Sequence, residues 1–445
     1  MELLQYLFFF VLTLGLLVTF HEFGHYLVAR LSGVKVTKFS IGFGKPLLRY
    51  TDEHGTEFQI AAIPLGGYVK MLDDREQTVD SDQKHLTFMS LSPAWRIAIA
   101  IGGPAANFIF AVIVYWIISI LGVTTEVPVI GDPELNSPIY EAGLRGEDKI
   151  ISIDGQFTPS WQEVAMALAS RLGDTGQIGV KVDRGGRESI HRVEIKEWHS
   201  GESEPNLTAS LGIYMHVGSI LGTVESDSPA DSAGLMPGDF VSAINGTEIR
   251  TWTQFVDLIQ AAPGKPLQLQ VIRSEGGLDK TLNLLIHPET RYSDGVAVGY
   301  VGVRAYVPTQ VIKYGLIEGF VNAVESTWSK TILTLKLLKK MVQGIVSPAN
   351  LSGPITIAVV AGESVKQGWE YYLNILALLS VSLGIINLLP IPILDGGHIL
   401  YGVVEIFTGR PVPDRIQAIG VQVGLFFIGF LFLRAFYNDV TRLIS

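Results

Sequence analysis

The chain has 445 residues, 48% of them hydrophobic and 17% charged, with 47 glycines; this is more polar than a bare bundle of spans requires and describes a protein part embedded in a bilayer, part aqueous. The absence of cysteine excludes disulfides, a thiolate zinc site and a cysteine nucleophile. The formal net charge of −10 argues against a nucleic-acid partner.

Residues 3–20 carry no charge and lead directly into His21-Glu22-Phe23-Gly24-His25. A hydrocarbon core of ~30 Å takes about 20 helical residues, and four uncharged stretches meet that length: 3–20, 97–125, 371–394 and 416–433. In a helix, positions i and i+4 share a face, so His21 and His25 can offer two imidazoles to one ion, with Glu22 beside them as a candidate base. Ionisable groups bordering a span are expensive to place, and three together need a compensating partner or a function. A pair of histidines satisfied by neighbouring side chains is the structural alternative.

Arg30, Lys35, Lys38, Lys45 and Arg49 follow the first span. The positive-inside rule then puts the N-terminus outside and the first loop inside. By alternation the segment from about 126 to 370 lies outside, the loop with Arg410 and Arg415 inside and the C-terminus outside. Within the first loop, Phe39, Ile41 and Phe43 alternate with small or polar residues, Glu53-His54-Gly55 is turn-like, and Phe58 to Tyr68 forms a second apolar run closing in Gly66-Gly67. That pattern predicts a β-hairpin over about 38–71.

The long outer segment contains a repeat. Ser137-Pro138, Ala142-Gly143-Leu144, Asp148, Ile153, Gly155 and Trp161 recur 91 residues later as Ser228-Pro229, Ala233-Gly234-Leu235, Asp239, Ile244, Gly246 and Trp252. In each copy an alternating run (Lys149 to Ile153, Phe240 to Ile244) ends in Asp154-Gly155 or Asn245-Gly246, which reads as strand and turn. The pattern resembles the PDZ domain. Each copy closes with a glycine-centred run, Leu211-Gly212-Ile213 and Val301-Gly302-Val303, similar to that family's carboxylate-binding loop; its place at the end of the copy implies the circularly permuted strand order of bacterial PDZ domains. Such folds bind extended peptides at a sheet edge; steric shielding of a membrane site is the other reading.

Ile312, Leu316, Phe320, Val324, Trp328, Ile332 and Leu335 recur at helical spacing and are followed by Lys336, Lys339 and Lys340, which predicts an amphipathic helix against the membrane surface or the core spans. Asn350 to Ile355, with Gly353-Pro354, breaks it. The third span closes on Asn387-Leu388-Leu389-Pro390-Ile391-Pro392-Ile393-Leu394-Asp395-Gly396-Gly397-His398. A catalytic zinc takes three protein ligands and keeps a fourth position for water. Because spans one and three run in the same direction, His21, His25 and Asp395 share one side of the bilayer. His398 is a rival third ligand.

HExxH at the end of the first span, Gly102-Gly103-Pro104-Ala105-Ala106-Asn107 in the second, NxxPxPxLDGG in the third and the paired PDZ-like modules together resemble the site-2 protease family of intramembrane zinc metalloproteases, over essentially the whole chain. The resemblance implies one Zn2+ per chain on His21, His25 and Asp395, Glu22 as general base and Asn387 at the substrate backbone. It further implies a membrane-associated hairpin, with Gly66, Gly67 and Tyr68 at the substrate. The implied partners are the lipid bilayer and single-span membrane proteins, such as an anti-sigma factor or remnant signal peptides, with peptide ligands possible for the PDZ modules. The implied place is the bacterial inner membrane, with both termini and the PDZ domains periplasmic and the active site toward the cytoplasm. The expected fold is a polytopic α-helical membrane protein of four transmembrane helices with two inserted β-rich, circularly permuted PDZ domains. Its parts are 1–122 (spans at about 3–28 and 97–121), PDZ modules at 123–218 and 219–307, amphipathic helices at 308–368, and 369–445 (spans at about 371–394 and 416–436). A membrane adaptor or quality-control receptor with a vestigial metal site is the reading from another class. An ion transporter is disfavoured, because the ionisable groups cluster at one depth and form no relay.

Overall fold

The computed structural model describes residues 2–75, 78–202, 205–275, 278–293 and 295–444. The chain divides into two compact units, one of Met1–Val123, His199–Pro205 and Val311–Ser445, the other of Thr124–Trp198 and Asn206–Gln310.

The first unit begins with α1 (Glu2–Ser32), β1 (Val36–Thr51), β2 (Glu57–Met71) and α2 (Pro93–Leu121). Ser92 caps α2 by accepting from the Trp95 amide, and Pro93 sits in the first turn, where a missing N–H costs nothing. The two helices touch through glycine. A Cβ at Gly24 would stand 2.1 Å from the Gly102 carbonyl oxygen, and one at Gly102 would stand 2.7 Å from that of Gly24; apolar helices approach this closely only where both side chains are absent. The expected hairpin is more than a hairpin. Lys38 to Ile41 pairs with Gly67 to Lys70 on one side and with Glu57 to Ile60 on the other, while Leu48 to Thr51 pairs with Glu57 to Ile60 again. Both strands bend, so four rows lie side by side, and the row from Gly67 has a partner on one side only among these pairings.

The second unit is two copies of one plan. After β3 (Val123–Glu126), the first copy runs α3 (Pro138–Glu141), β4 (Lys149–Ile153), β5 (Gln156–Phe157), α4 (Trp161–Ala169), β6 (Gly176–Arg184), β7 (Arg187–Ile195) and α5 (Leu207–Leu211). The second runs β8 (Leu221–Val224), α6 (Pro229–Ser232), β9 (Phe240–Ile244), β10 (Thr247–Glu248), α7 (Trp252–Gln260), β11 (Leu267–Glu275) and β12 (Leu278–Ile286). It adds β13 (Glu289–Ser293), β14 (Val296–Tyr300) and β15 (Val303–Ala305) before β16 (Thr309–Ile312). The four-stranded sheets have matching orders, β5-β4-β6-β7 and β10-β9-β11-β12. The repeated residues explain the match. Ser137 and Ser228 cap the short helices, Ser160 and Thr251 the longer ones, each accepting an amide three residues on. Asp154-Gly155 and Asn245-Gly246 have positive φ at both residues (49° and 81° in each pair), the two-residue turn whose twist suits a hairpin.

The first unit resumes with α8 (Leu316–Val342), α9 (Pro354–Gln367), α10 (Trp369–Leu388), α11 (Asp395–Thr408) and α12 (Asp414–Ile444). The expected amphipathic helix starts later than Ile312, which belongs to β16, and its apolar stripe is largely exposed. Leu316, Phe320, Val324, Trp328 and Leu335 are exposed, while Gly319, Ala323, Thr327 and Lys330 are buried. Gly319 lets α8 approach α2, and Phe320 packs edge-on against Trp116 there. The third span also ends short of the expected 394. Its helix stops at Leu388, because Pro390 and Pro392 supply no N–H, and Asp395 opens the separate helix α11. Gly396 and Gly397 admit this fold-back: a Cβ at Gly396 would stand 2.1 Å from the Leu389 carbonyl oxygen, and one at Gly397 2.4 Å from Pro392 Cα. Phe110, Val114, Tyr115, Leu376, Val381 and Ile385 form the core between α2 and α10. Among the described residues, four helices are long and apolar enough to cross a membrane, Leu3–Ser32, Pro93–Leu121, Trp369–Leu388 and Asp414–Arg442; the chain is a polytopic membrane protein carrying β-sheets.

Candidate metal centre

His21 and His25 lie one turn apart on α1, and Asp395 faces them from the first turn of α11. Nε2 of His21 is 3.2 Å from Asp395 Oδ2, Nε2 of His25 is 3.4 Å from Oδ1, and the two Nε2 atoms are 3.2 Å apart. Three acceptor atoms thus converge within 4.8 Å in a mostly buried place. Only a cation or shared protons can satisfy them together. Two imidazole nitrogens and a carboxylate oxygen are also the donor set and number of a catalytic zinc site, so these residues fit the ion.

Each ring is held from behind by α2. His25 Nδ1 is 2.7 Å from the Ile99 carbonyl oxygen, and His21 Nδ1 is 3.0 Å from Asn107 Nδ2. Gly103 leaves the room: a Cβ there would stand 2.3 Å from His25 Nε2. Pro104, inside the same helix, donates no N–H to the carbonyl of Ala100, four residues back, and Ala100 lines the cavity in front of the site.

That cavity has a volume of about 520 Å³ and brings His21, Glu22, His25 and Asp395 together with Gly67 to Met71, Asp73, Arg75, Arg96 and His398. Glu22 accepts from the Val69 amide. A Cβ at Gly67 would stand 2.9 Å from Glu22 Cγ, so glycine is what lets the outer row of the sheet reach the acid. At the mouth, burial pushes the Asp73 carboxyl upward, but the Arg75 guanidinium, at 3.1 and 2.7 Å, outweighs it and holds the group below its ordinary range. Arg96 bonds Glu405 of α11 at 2.6 Å, and a Cβ at Gly402 would stand 2.6 Å from Ile97 Cγ1, so α11 is fixed to α2 along its length.

The predicted site residues divide by place. Asn387 Nδ2 stands 3.5 Å from His21 Nε2, at the site but beyond a good hydrogen bond. Tyr68 lines the cavity, and Gly66 packs on the Phe43 ring instead. His398 lines the cavity and is absent from the convergent group. Leu211, Gly212, Ile213, Val301, Gly302 and Val303 belong to the second unit, where Gly212 (φ 82°) and Gly302 (φ 76°) each back onto the capping serine of their copy, Ser137 or Ser228. Sequence reasoning assigned no role to Gly103 or Asn107, and did not find Arg96 and Glu405. The GGPAAN run was the available signal for the first two; nothing local signals an ion pair 309 residues apart.

A sequence profile of peptidase family M50 matches residues 9–431. The chain is 40% identical over 444 residues to the regulator of sigma-E protease RseP of Escherichia coli strain K12, covering 98% of each chain. It is 40% identical over 446 residues to protease RseP of Yersinia pestis and 37% identical over 438 residues to the regulator of sigma E protease of Haemophilus influenzae, again covering 98% of each.

Proposed function

Because the chain belongs to peptidase family M50, the site-2 protease family, and is a zinc metalloprotease, we propose that His21, His25 and Asp395 hold its one zinc ion and that Glu22 is the general base. The observation that carries this reading is the convergence of the three donor atoms beside Glu22 at the wall of one cavity. Bound there, the ion supplies an activated water and polarises the scissile carbonyl. Glu22 takes the proton from the attacking water and returns it to the leaving amine, and the Val69 amide keeps its carboxylate turned toward the cavity.

The substrates are transmembrane segments of single-span proteins. A helix hides its amides in its own hydrogen bonds, so such a segment must unwind before attack. The row from Gly67 to Met71 is the outer row of the sheet in the described pairings and lines the cavity, which supports its holding the released backbone as an added strand. Gly67 and Tyr68 then lie along the substrate, with Asn387 opposite. Exposed Leu47, Leu48, Tyr50 and Ile63 on the same sheet suit contact with lipid. The name of the Escherichia coli relative points to regulated proteolysis that ends in sigma-E control, so an anti-sigma factor is the first substrate to test, with remnant signal peptides second.

The two copies in the second unit act as PDZ modules that exclude substrates whose outer domain is still attached. Their matching sheet orders, and the positive-φ glycine at the end of each, support the permuted PDZ reading. The protein sits in the bacterial inner membrane with these modules and both termini periplasmic and the site toward the cytoplasm, as the charges after α1 direct.

The test is Glu22→Gln in detergent-purified protein, read by zinc content and by mass spectrometry of products from a single-span substrate. One zinc per chain with cleavage lost by at least about 100-fold is expected, whereas His21→Ala and Asp395→Ala lose both. Unchanged proteolysis in Glu22→Gln would end this assignment.

A further inference from the structure

Asn107 is wholly buried on α2, and its backbone carbonyl accepts from Ser380 Oγ of α10 at 2.8 Å, which fixes its place between two spans. Its side chain has one polar neighbour, His21 Nδ1, 3.0 Å from Nδ2; Oδ1 meets no hydrogen-bond partner among the described residues. A half-turn of the amide exchanges oxygen and nitrogen without changing its shape. After that turn Oδ1 faces the imidazole.

The ring needs this partner. His25 shows the requirement, since its Nδ1 faces the Ile99 carbonyl, which can only accept; the proton therefore stays on Nδ1, and Nε2 is left bare toward Asp395. His21 presents Nε2 to Asp395 in the same way, at 3.2 Å, but behind it stands a carboxamide that can donate or accept. Donation to Nδ1 would force the proton onto Nε2, the atom that must hold the metal. Acceptance from Nδ1–H bares Nε2.

We propose that Asn107 is a positioning residue for His21, accepting its Nδ1–H through Oδ1 and so fixing the tautomer and ring direction that let Nε2 bind zinc. The second span thus supplies a partner to each imidazole, a main-chain carbonyl for His25 and a side-chain carbonyl for His21. Asn107 itself touches neither the ion nor substrate.

The proposal rests on His21 being a ligand, so His21→Ala is measured beside Asn107→Leu and Asn107→Asp. Full-length protein in detergent is stripped of metal, titrated with zinc against a competing chelator, and melted with and without zinc. Asn107→Leu keeps the shape and loses the acceptor; its zinc affinity is expected to fall about 10- to 100-fold, its metal-free Tm to stay near wild type, and its zinc-induced rise in Tm to shrink. Asn107→Asp can still accept and is expected to remain within about threefold of wild type. The proposal fails if Asn107→Leu binds zinc like wild type, or if both variants weaken equally, since shape rather than acceptance would then matter. Should Asn107→Leu not fold, Asn107→Asp decides: retained affinity supports the acceptor role, and a tenfold loss overturns it. If His21→Ala binds zinc normally the ligand assignment fails; if it loses zinc while Asn107→Leu keeps it, only the role of Asn107 falls.

Discussion

One methyl group decides whether the two imidazoles can converge. A Cβ at Gly103 would stand 2.3 Å from His25 Nε2 and 2.8 Å from His21 Cε1, inside any real contact distance. Gly103→Ala is therefore expected to lower zinc affinity at least about tenfold, read by zinc content after dialysis against wild type. Charge governs the repeated modules at the same scale. Asp148 is fully buried, and burial pushes its carboxyl upward, but Arg184 at 2.6 and 2.7 Å and the Arg145 amide hold it below its ordinary range. A depressed carboxyl contributes stability above its unfolded pKa of about 4 and loses it as pH falls through the folded value. Protection of the 140–155 amides against hydrogen exchange should thus drop below about pH 4, and Asp148→Asn should flatten that drop from a lower starting level. The counterpart Asp239 pairs with Arg273, whose side chain is 14% exposed against 47% for Arg184. Asp239→Ala removes the carboxylate of a more buried cation and is expected to destabilise more than Asp148→Ala, read by chemical denaturation. The histidine spacing was legible because metal chemistry restricts residue type and interval, and Asp395 stood out as the charge that closes the third uncharged run. The tasks of Gly103 and Asn107 were not, because they arise only where α1 and α2 meet.

Among elements, α11 is the one whose placement matters most, since it delivers Asp395 from a break in the chain rather than from the end of a span. Absence of charge cannot distinguish a continuous span from a helix, a proline turn and a second helix, because Pro390 and Pro392 are uncharged like their neighbours and break the helix by lacking an N–H. This is why the uncharged run predicted six residues of helix too many, to 394 rather than Leu388. The stripe on α8 was legible by its period, and which of its two expected faces it meets was not, since in lipid an apolar face needs no protein partner. The grip on α11 is testable away from the metal. Gly402 lies against Ile97 two turns beyond Asp395, so Gly402→Leu should push α11 off α2 and lower zinc affinity several-fold without touching a ligand. Glu405→Gln, which weakens only the bond to Arg96, should have a smaller effect in the same direction. Equal affinity in Gly402→Leu and wild type would show that the first turn of α11 is held by the glycine fold-back alone.

For the whole molecule, the question is why nearly two hundred residues of repeated module interrupt a membrane protease. The repeat was legible because turns and caps recur at a fixed interval of 91 residues; the added β13 and β14 of the second copy, where the first has α5, were not, since the two segments share no pattern. The Val127 amide donates to the Pro308 carbonyl at 3.0 Å, so the chain enters and leaves this unit at adjacent points. A deletion of 127–305 can therefore close without stretching the spans, which makes exclusion directly measurable. Wild type should cut a single-span substrate already trimmed of its outer domain and spare the untrimmed form; the deletion variant should cut both, at comparable rates for the trimmed one. Carboxyl-terminal recognition by the modules predicts a different result, with slower cutting of trimmed substrate after deletion and continued resistance of the untrimmed form. Exclusion acts on what is denied access and recognition on what is admitted, so the two substrates separate them in one experiment.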